Sequence, residues 1–103
     1  MSDLNYGSYL KVDELLQLQQ PRSEPEHPDE LLFIVVHQAS ELWFKVILHE
    51  LEHLITNLRA AETVPALHTM RRINALVRIV SGQLAALDTL PPQRFAQFRG
   101  NLG

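Results

Sequence analysis

Cysteine is absent from the 103-residue chain. That absence excludes a disulfide framework, thiolate zinc sites, iron–sulfur clusters and cysteine nucleophiles. A basic excess is absent too: 9 Lys and Arg stand against 12 Asp and Glu, for a formal charge of −3. Such a balance argues against a nucleic-acid binder. No uninterrupted apolar run approaches the roughly 20 residues that span a bilayer. The start Met1-Ser2-Asp3-Leu4 lacks a charged-then-apolar leader. These features predict a chain outside membranes and suit a reducing cytoplasm. Its length leaves room for one small domain.

Glycine is also scarce, with 4 residues, and the placement of the prolines divides the chain. The six prolines are Pro21, Pro25, Pro28, Pro65, Pro91 and Pro92. Neither Gly nor Pro occurs between Pro28 and Pro65, and only Gly82 lies between Pro65 and Pro91. Proline breaks helix interiors but is tolerated in a first turn, so the prolines read as starts and stops. A short helix is expected from Val12 to Gln20, followed by a loop over Pro21–Pro28. A long helix is expected from Asp29 to Ala61, with apolar residues spaced mostly by 3 and 4 from Leu32 to Leu58. At ~1.5 Å per residue it would be roughly 48 Å long, more than this chain alone can cover. A third helix is expected from Pro65 to Asp88. Its residues Ala66, Met70, Ile73, Val77, Val80, Leu84 and Leu87 form a heptad-like seam. A fourth, Gln93 to Arg99, would be capped by Gly100. The fold class is therefore all-α: a bundle of one long and one medium antiparallel helix with short flanking helices. Residues 1–28 form an arm and short helix, and 29–103 form the main, apparently incomplete, domain.

Charge is uneven. Residues 1–60 carry 4 basic and 10 acidic side chains, whereas residues 61–103 carry 5 arginines and 2 acids. The halves can pair with each other, or the charges can simply be solvated.

Three constellations could carry chemistry. The run His49-Glu50-Leu51-Glu52-His53 places two imidazoles at i and i+4, a spacing that can bind zinc. A zincin needs a third ligand and a sheet-edged cleft, and a di-iron bundle needs a second Glu-x-x-His helix. The other instance, Glu24 and His27, falls in the Pro-rich loop, so an exposed helix face is the plainer reading. The second is His37, on or beside the apolar stripe one turn after Phe33. A desolvated imidazole tends to stay neutral and can keep one nitrogen as an acceptor for the N–H of a bound ring. A core histidine bonded to a backbone carbonyl or to Ser40 has the same spacing. The third pairs Phe95 with Arg99, four residues apart on a short helix, where a guanidinium could grip a carboxylate. Tyr6 and Tyr9 mark an N-terminal arm suited to docking.

Three segments together resemble one family closely. They are Tyr6-Gly7-Ser8-Tyr9-Leu10, the run from Asp29 through His37 to Trp43-Phe44-Lys45, and Phe95-Ala96-Gln97-Phe98-Arg99. They look like the N-terminal third of tryptophan 2,3-dioxygenases. The resemblance implies a cytoplasmic, homotetrameric, all-α haem oxidoreductase of tryptophan catabolism by the kynurenine pathway. Its reaction inserts both atoms of O₂ across the indole C2–C3 bond of L-tryptophan, giving N-formylkynurenine. It implies that Phe33, Ile34, Val35, Val36 and His37 line the indole pocket, with His37 hydrogen-bonding the indole N–H as the catalytic-site histidine. Phe33 would pack on haem b and substrate. Phe95 would stand where the family carries Tyr or Phe, and Arg99 would hold the substrate carboxylate. Tyr6, Tyr9 and Leu10 would reach into a neighbouring subunit's pocket.

The resemblance places no iron ligand in this chain; the proximal haem histidine is expected beyond Gly103. A helical interaction module without catalysis, a fragment or truncated paralogue, is the alternative, and a metal-binding bundle built on His49 and His53 is a third. Residues 1–103 alone, purified and supplied with haem, are expected to form no N-formylkynurenine; measurable product would refute this.

Overall fold

A computed structural model describes residues 5–102, and the reading of Met1–Leu4 lies outside them. Regular structure among the described residues is helical throughout, in keeping with the all-α expectation. The α-helices are α1 (Tyr6–Leu10), α2 (Val12–Leu15), α3 (Glu30–Arg59), α4 (Thr63–Leu84) and α5 (Pro92–Arg99). Short 3₁₀ turns follow α4 (Ala85–Thr89) and α5 (Gly100–Leu102).

Local chemistry explains most boundaries. α1 is set by a reciprocal cap: the Ser8 N–H donates to Asn5 Oδ1, and the Asn5 N–H donates to Ser8 Oγ, both at 3.0 Å. The expected Val12–Gln20 helix stops at Leu15 instead. Gln19 Nε2 donates to the Leu15 carbonyl at 3.0 Å and Gln20 Nε2 to that of Gln17 at 2.8 Å. These bonds occupy acceptors that a longer helix would use, and Pro21 disfavours a helical Gln20. Pro92 opens α5, where its missing N–H costs nothing. Gly100 does not cap α5 in the left-handed region; its φ is −60°, and the chain continues into the 3₁₀ turn.

α3 and α4 form an antiparallel hairpin turning at Ala60–Glu62, with Ala61 at φ 56°. The expected α4 seam is half right. Ala66 and Val80 are buried, and Ile73 and Leu87 half-buried, but Met70, Val77 and Leu84 are exposed. Thr69, Leu76 and Gln83 take the inner positions instead. Polar pairs decide this rotation. Gln83 Nε2 donates to Ser40 Oγ at 2.9 Å, and Ser40 Oγ donates to the Val36 carbonyl at 2.8 Å. Asn57 Nδ2 donates to Thr69 Oγ1 at 3.4 Å, and Arg72 meets the buried Glu50 at 3.5 Å. Groups buried between helices must find partners, so these pairs fix which faces meet.

The hairpin leaves much apolar surface open, including Leu42, Leu48, Ile55, Leu58 and Leu67. The radius of gyration is 18.1 Å, against ~13 Å for a compact chain of this size. By length and composition alone α3 is also long and apolar enough to cross a bilayer, although polar residues such as Gln38, Glu41 and Lys45 interrupt its apolar run. Its Ser40 and Glu50 turn inward and are each paired with α4.

One end of the hairpin is closed by α5. Phe98 is fully buried and clusters with Phe33 and Leu90, flanked by Leu32, Leu87 and Phe95. Burial of one such ring is worth ~1.5–3 kcal/mol. Beside it, the Glu30 carboxylate accepts the backbone N–H groups of Arg22 and Ser23, each at 2.9 Å, and Asn101 Nδ2 at 3.3 Å. Arg94 reaches Asp29 at 3.0 Å. Arg94–Asp29 and Arg72–Glu50 are thus pairs between the acidic and arginine-bearing halves.

Burial pushes the Glu30 carboxyl upward, but the Arg22 and Ser23 amides and Asn101 outweigh it and hold its pKa below the ordinary 4.5. A folded pKa below the unfolded one gives stability that is present above 4.5 and lost as pH falls through the folded value. Glu30→Gln, whose amide cannot accept both backbone N–H groups, is expected to lose about 1–3 kcal/mol in urea unfolding at pH 7. It should also flatten the acid limb of the stability curve below pH 4.5. An unchanged acid limb would show that Glu30 does not carry this linkage.

Candidate functional site

Successive helical residues point about 100° apart, so five consecutive positions cannot line one pocket. The structure divides Phe33–His37 accordingly. Phe33 and His37 stack one turn apart, with ring centroids 4.4 Å apart at 39°. Ile34 lies beside Phe33 on the rim of a hollow of about 250 Å³, with Arg22, Glu30, Phe98 and Asn101 also on its wall. Val36 is buried toward α4, its carbonyl within 3.5 Å of Gln83 Nε2. Val35 lies on another side, in a groove of about 520 Å³ with Leu15, Leu16, Leu31 and Leu42. Of the five, Phe33 and His37 pair directly, Ile34 borders a hollow that His37 does not line, and Val35 faces a separate groove.

His37 is half-buried, and its Nδ1 lies 2.8 Å from the Phe33 carbonyl. A carbonyl can only accept, so Nδ1 carries the proton. In the neutral ring Nε2 is then a bare acceptor. Ser40, the other partner its spacing allowed, is engaged with Val36 and Gln83 instead. The backbone bond thus matches the core-histidine reading for one nitrogen and leaves the other free to receive a donor.

Phe95 meets Phe33 edge-on at 5.8 Å and borders a second hollow of about 390 Å³ with Leu87, Leu90 and Pro92. Arg99 is exposed on the last turn of α5 and makes no hydrogen bond or ion pair among the described residues. Neither His37 nor Arg99 lines either hollow. Phe33 is only 2% exposed, so its ring is a core element here and offers little open face. Tyr6, Tyr9 and Leu10 are exposed, at 80%, 72% and 44%, and α1 packs on α2.

Two contributors were not singled out from sequence. Phe98, three residues after Phe95, is the buried plug that joins α5 to Phe33 and to the edge of His27. Glu30 reads in sequence as an acid favoured at a helix start, yet it binds two other segments. The remaining histidines stand apart. His27 Nδ1 accepts the Asp29 N–H, and His68 Nε2 accepts from Arg72. Glu50 of the His-Glu-x-x-His run turns inward to Arg72, away from the role of general base. Among the described residues no group of three or more potential ligands could hold a metal.

The model of the tryptophan 2,3-dioxygenase family matches residues 1–103. The chain belongs to the tryptophan 2,3-dioxygenase family. It is 54% identical over 100 residues to a tryptophan 2,3-dioxygenase of Herpetosiphon aurantiacus, covering 96% of this chain and 38% of that protein. It is 50% identical to one from Anaeromyxobacter sp. (strain K), covering 96% and 37%. It is 48% identical to that of Kineococcus radiotolerans, covering 97% and 35%. The chain therefore spans little more than a third of these relatives of the tryptophan 2,3-dioxygenase family.

The assigned tautomer is open to direct measurement. In ¹⁵N-resolved imidazole spectra of the neutral ring, His37 is expected as the Nδ1–H form. A dominant Nε2–H form would contradict the bond to Phe33.

Proposed function

We propose that residues 1–103 form the substrate-facing part of a haem-dependent tryptophan 2,3-dioxygenase, converting L-tryptophan and O₂ to N-formylkynurenine in a cytoplasmic homotetramer. The single observation that carries this is His37. Its Nδ1 proton is committed to the Phe33 carbonyl, which leaves Nε2 as a fixed acceptor beside an aromatic wall. Membership of the family supports the same reading.

The residues present suit a flat aromatic guest more than an iron ligand. Ile34 and Phe95 supply apolar surface over the buried Phe33, whereas Nδ1 of His27 and Nε2 of His68 are already bonded and the exposed His49 and His53 lie three or more turns along α3 from His37. The iron's protein ligand would come from polypeptide other than this chain. Bound haem b would supply the activation of O₂. In this reading His37 Nε2 accepts the indole N–H and fixes the orientation of the ring. Ile34 and Phe95 exclude water from it, with Phe33 packed behind them. Arg99 holds the carboxylate through charge-assisted hydrogen bonds, which raises the fraction of productive poses. Tyr6, Tyr9 and Leu10 would complete the pocket from a neighbouring subunit. Val35 and Val36 seat α3 against its neighbours.

The alternative, a non-catalytic helical interaction module, draws on the exposed apolar faces of α3 and α4. Haem reconstitution separates the two readings. A Soret band shifted by tryptophan supports the dioxygenase, whereas a helical oligomer that binds neither haem nor tryptophan supports the module. In the haem-loaded protein that carries this chain, Arg99→Ala is expected to lower kcat/KM for tryptophan at least 30-fold, the loss of ~2 kcal/mol of charge-assisted binding. His37→Ala should lower it about 10-fold. Unchanged tryptophan kinetics in both variants would overturn the assigned roles.

A further inference from the structure

The pair His49 and His53 lies outside the candidate site and is not used by the proposed reaction. Both side chains are exposed in the middle of α3, where flanking turns hold the backbone rigidly helical. Their rings meet edge to face, with centroids 4.7 Å apart and planes at 74°. Neither imidazole has a hydrogen-bond partner among the described residues, in contrast to His27, His37 and His68.

We propose that His49 and His53 form a two-imidazole site for a divalent transition ion of the zinc class on the exposed face of α3. An ion ~2.1 Å from one nitrogen of each ring lies ~3.2 Å from each ring centre. Centres 4.7 Å apart then subtend an angle of about 95° at the ion. That falls between the angle of adjacent ligands in an octahedron and that in a tetrahedron, so the ring separation suits a shared ion once each ring turns a nitrogen toward it. Paired nitrogen donors select zinc, nickel or copper over magnesium and calcium, which prefer oxygen. Lys45, one turn before His49, opposes the ion, and Glu52, between the two histidines in sequence, favours it. Glu50 is occupied by Arg72, so the site lacks the general base of a hydrolytic zinc centre. With two protein ligands and water in the remaining positions, the ion clips one helical turn. It stabilises the fold because the unfolded chain does not hold the rings together.

Calorimetric titration of the 103-residue chain with zinc chloride tests this, with thermal unfolding followed in parallel. One zinc per chain is expected, with a rise in Tm and no response to magnesium. His49→Ala and His53→Ala should each weaken zinc binding at least tenfold and abolish the Tm rise. His68→Ala should change neither, and circular dichroism should show all variants equally helical. Absence of zinc binding by the wild-type chain, unchanged affinity in His53→Ala, or an equal loss in His68→Ala would overturn the proposal.

Discussion

The carboxylate of Glu30 is the junction on which the arrangement of this chain depends. It stands at the first turn of α3 and gathers two backbone amides from the Pro-rich loop and one side-chain amide from the turn after α5. Of those donors the half-buried Ser23 N–H would otherwise lack a partner, at a cost of ~1–3 kcal/mol, whereas Arg22 and Asn101 are exposed and tie their segments to the carboxylate in competition with water. An eight-residue helix such as α5 is far too short to persist alone. It exists because Asn101 and Arg94 tie its two ends to Glu30 and Asp29, and because Phe98 inserts against Phe33. The placement of Phe95 and Arg99 relative to His37 follows from that junction, so the candidate site inherits its geometry from a contact that touches no substrate.

A second constraint acts along the hairpin. The face shared by α3 and α4 is laced with Ser40–Gln83, Glu50–Arg72 and Asn57–Thr69, while long apolar side chains such as Met70 and Val77 point away. Polar pairs give this interface a fixed rotation, since slipping either helix would bury unpaired groups. The apolar residues turned outward account for the elongated shape and for a small buried core. They leave the hairpin with surface that a compact soluble domain would cover.

Much of this was legible in the sequence, for local reasons. Proline positions mark the starts of α3, α4 and α5 to within two residues because their effect on the backbone is immediate. The period of α4 was legible, but its rotation was not. Periodicity defines a stripe, whereas Thr69 and Gln83 win the inner positions through partners on another helix. α2 fell short because glutamine side chains competed for its carbonyls. At the site, the pairing of Phe33 with His37 follows from their one-turn spacing. The separation of Val35 from that pair follows from the same helical geometry, and a continuous motif conceals it. Phe98 and Glu30 were not legible as organisers, because the contacts that join α5 to α3, Phe98 to Phe33 and Asn101 to Glu30, cross 65 residues or more of chain, and the bonds of Glu30 to Arg22 and Ser23 are made by backbone amides that no side-chain pattern reveals.

Hydrogen exchange of backbone amides in the wild-type chain and in Glu30→Gln tests the junction most directly. If the Glu30 carboxylate holds α5 in place, the variant loses protection across Pro92–Leu102 while the α3–α4 hairpin keeps its own. Protection of α5 that survives the substitution, or that falls equally in every helix, would contradict the account.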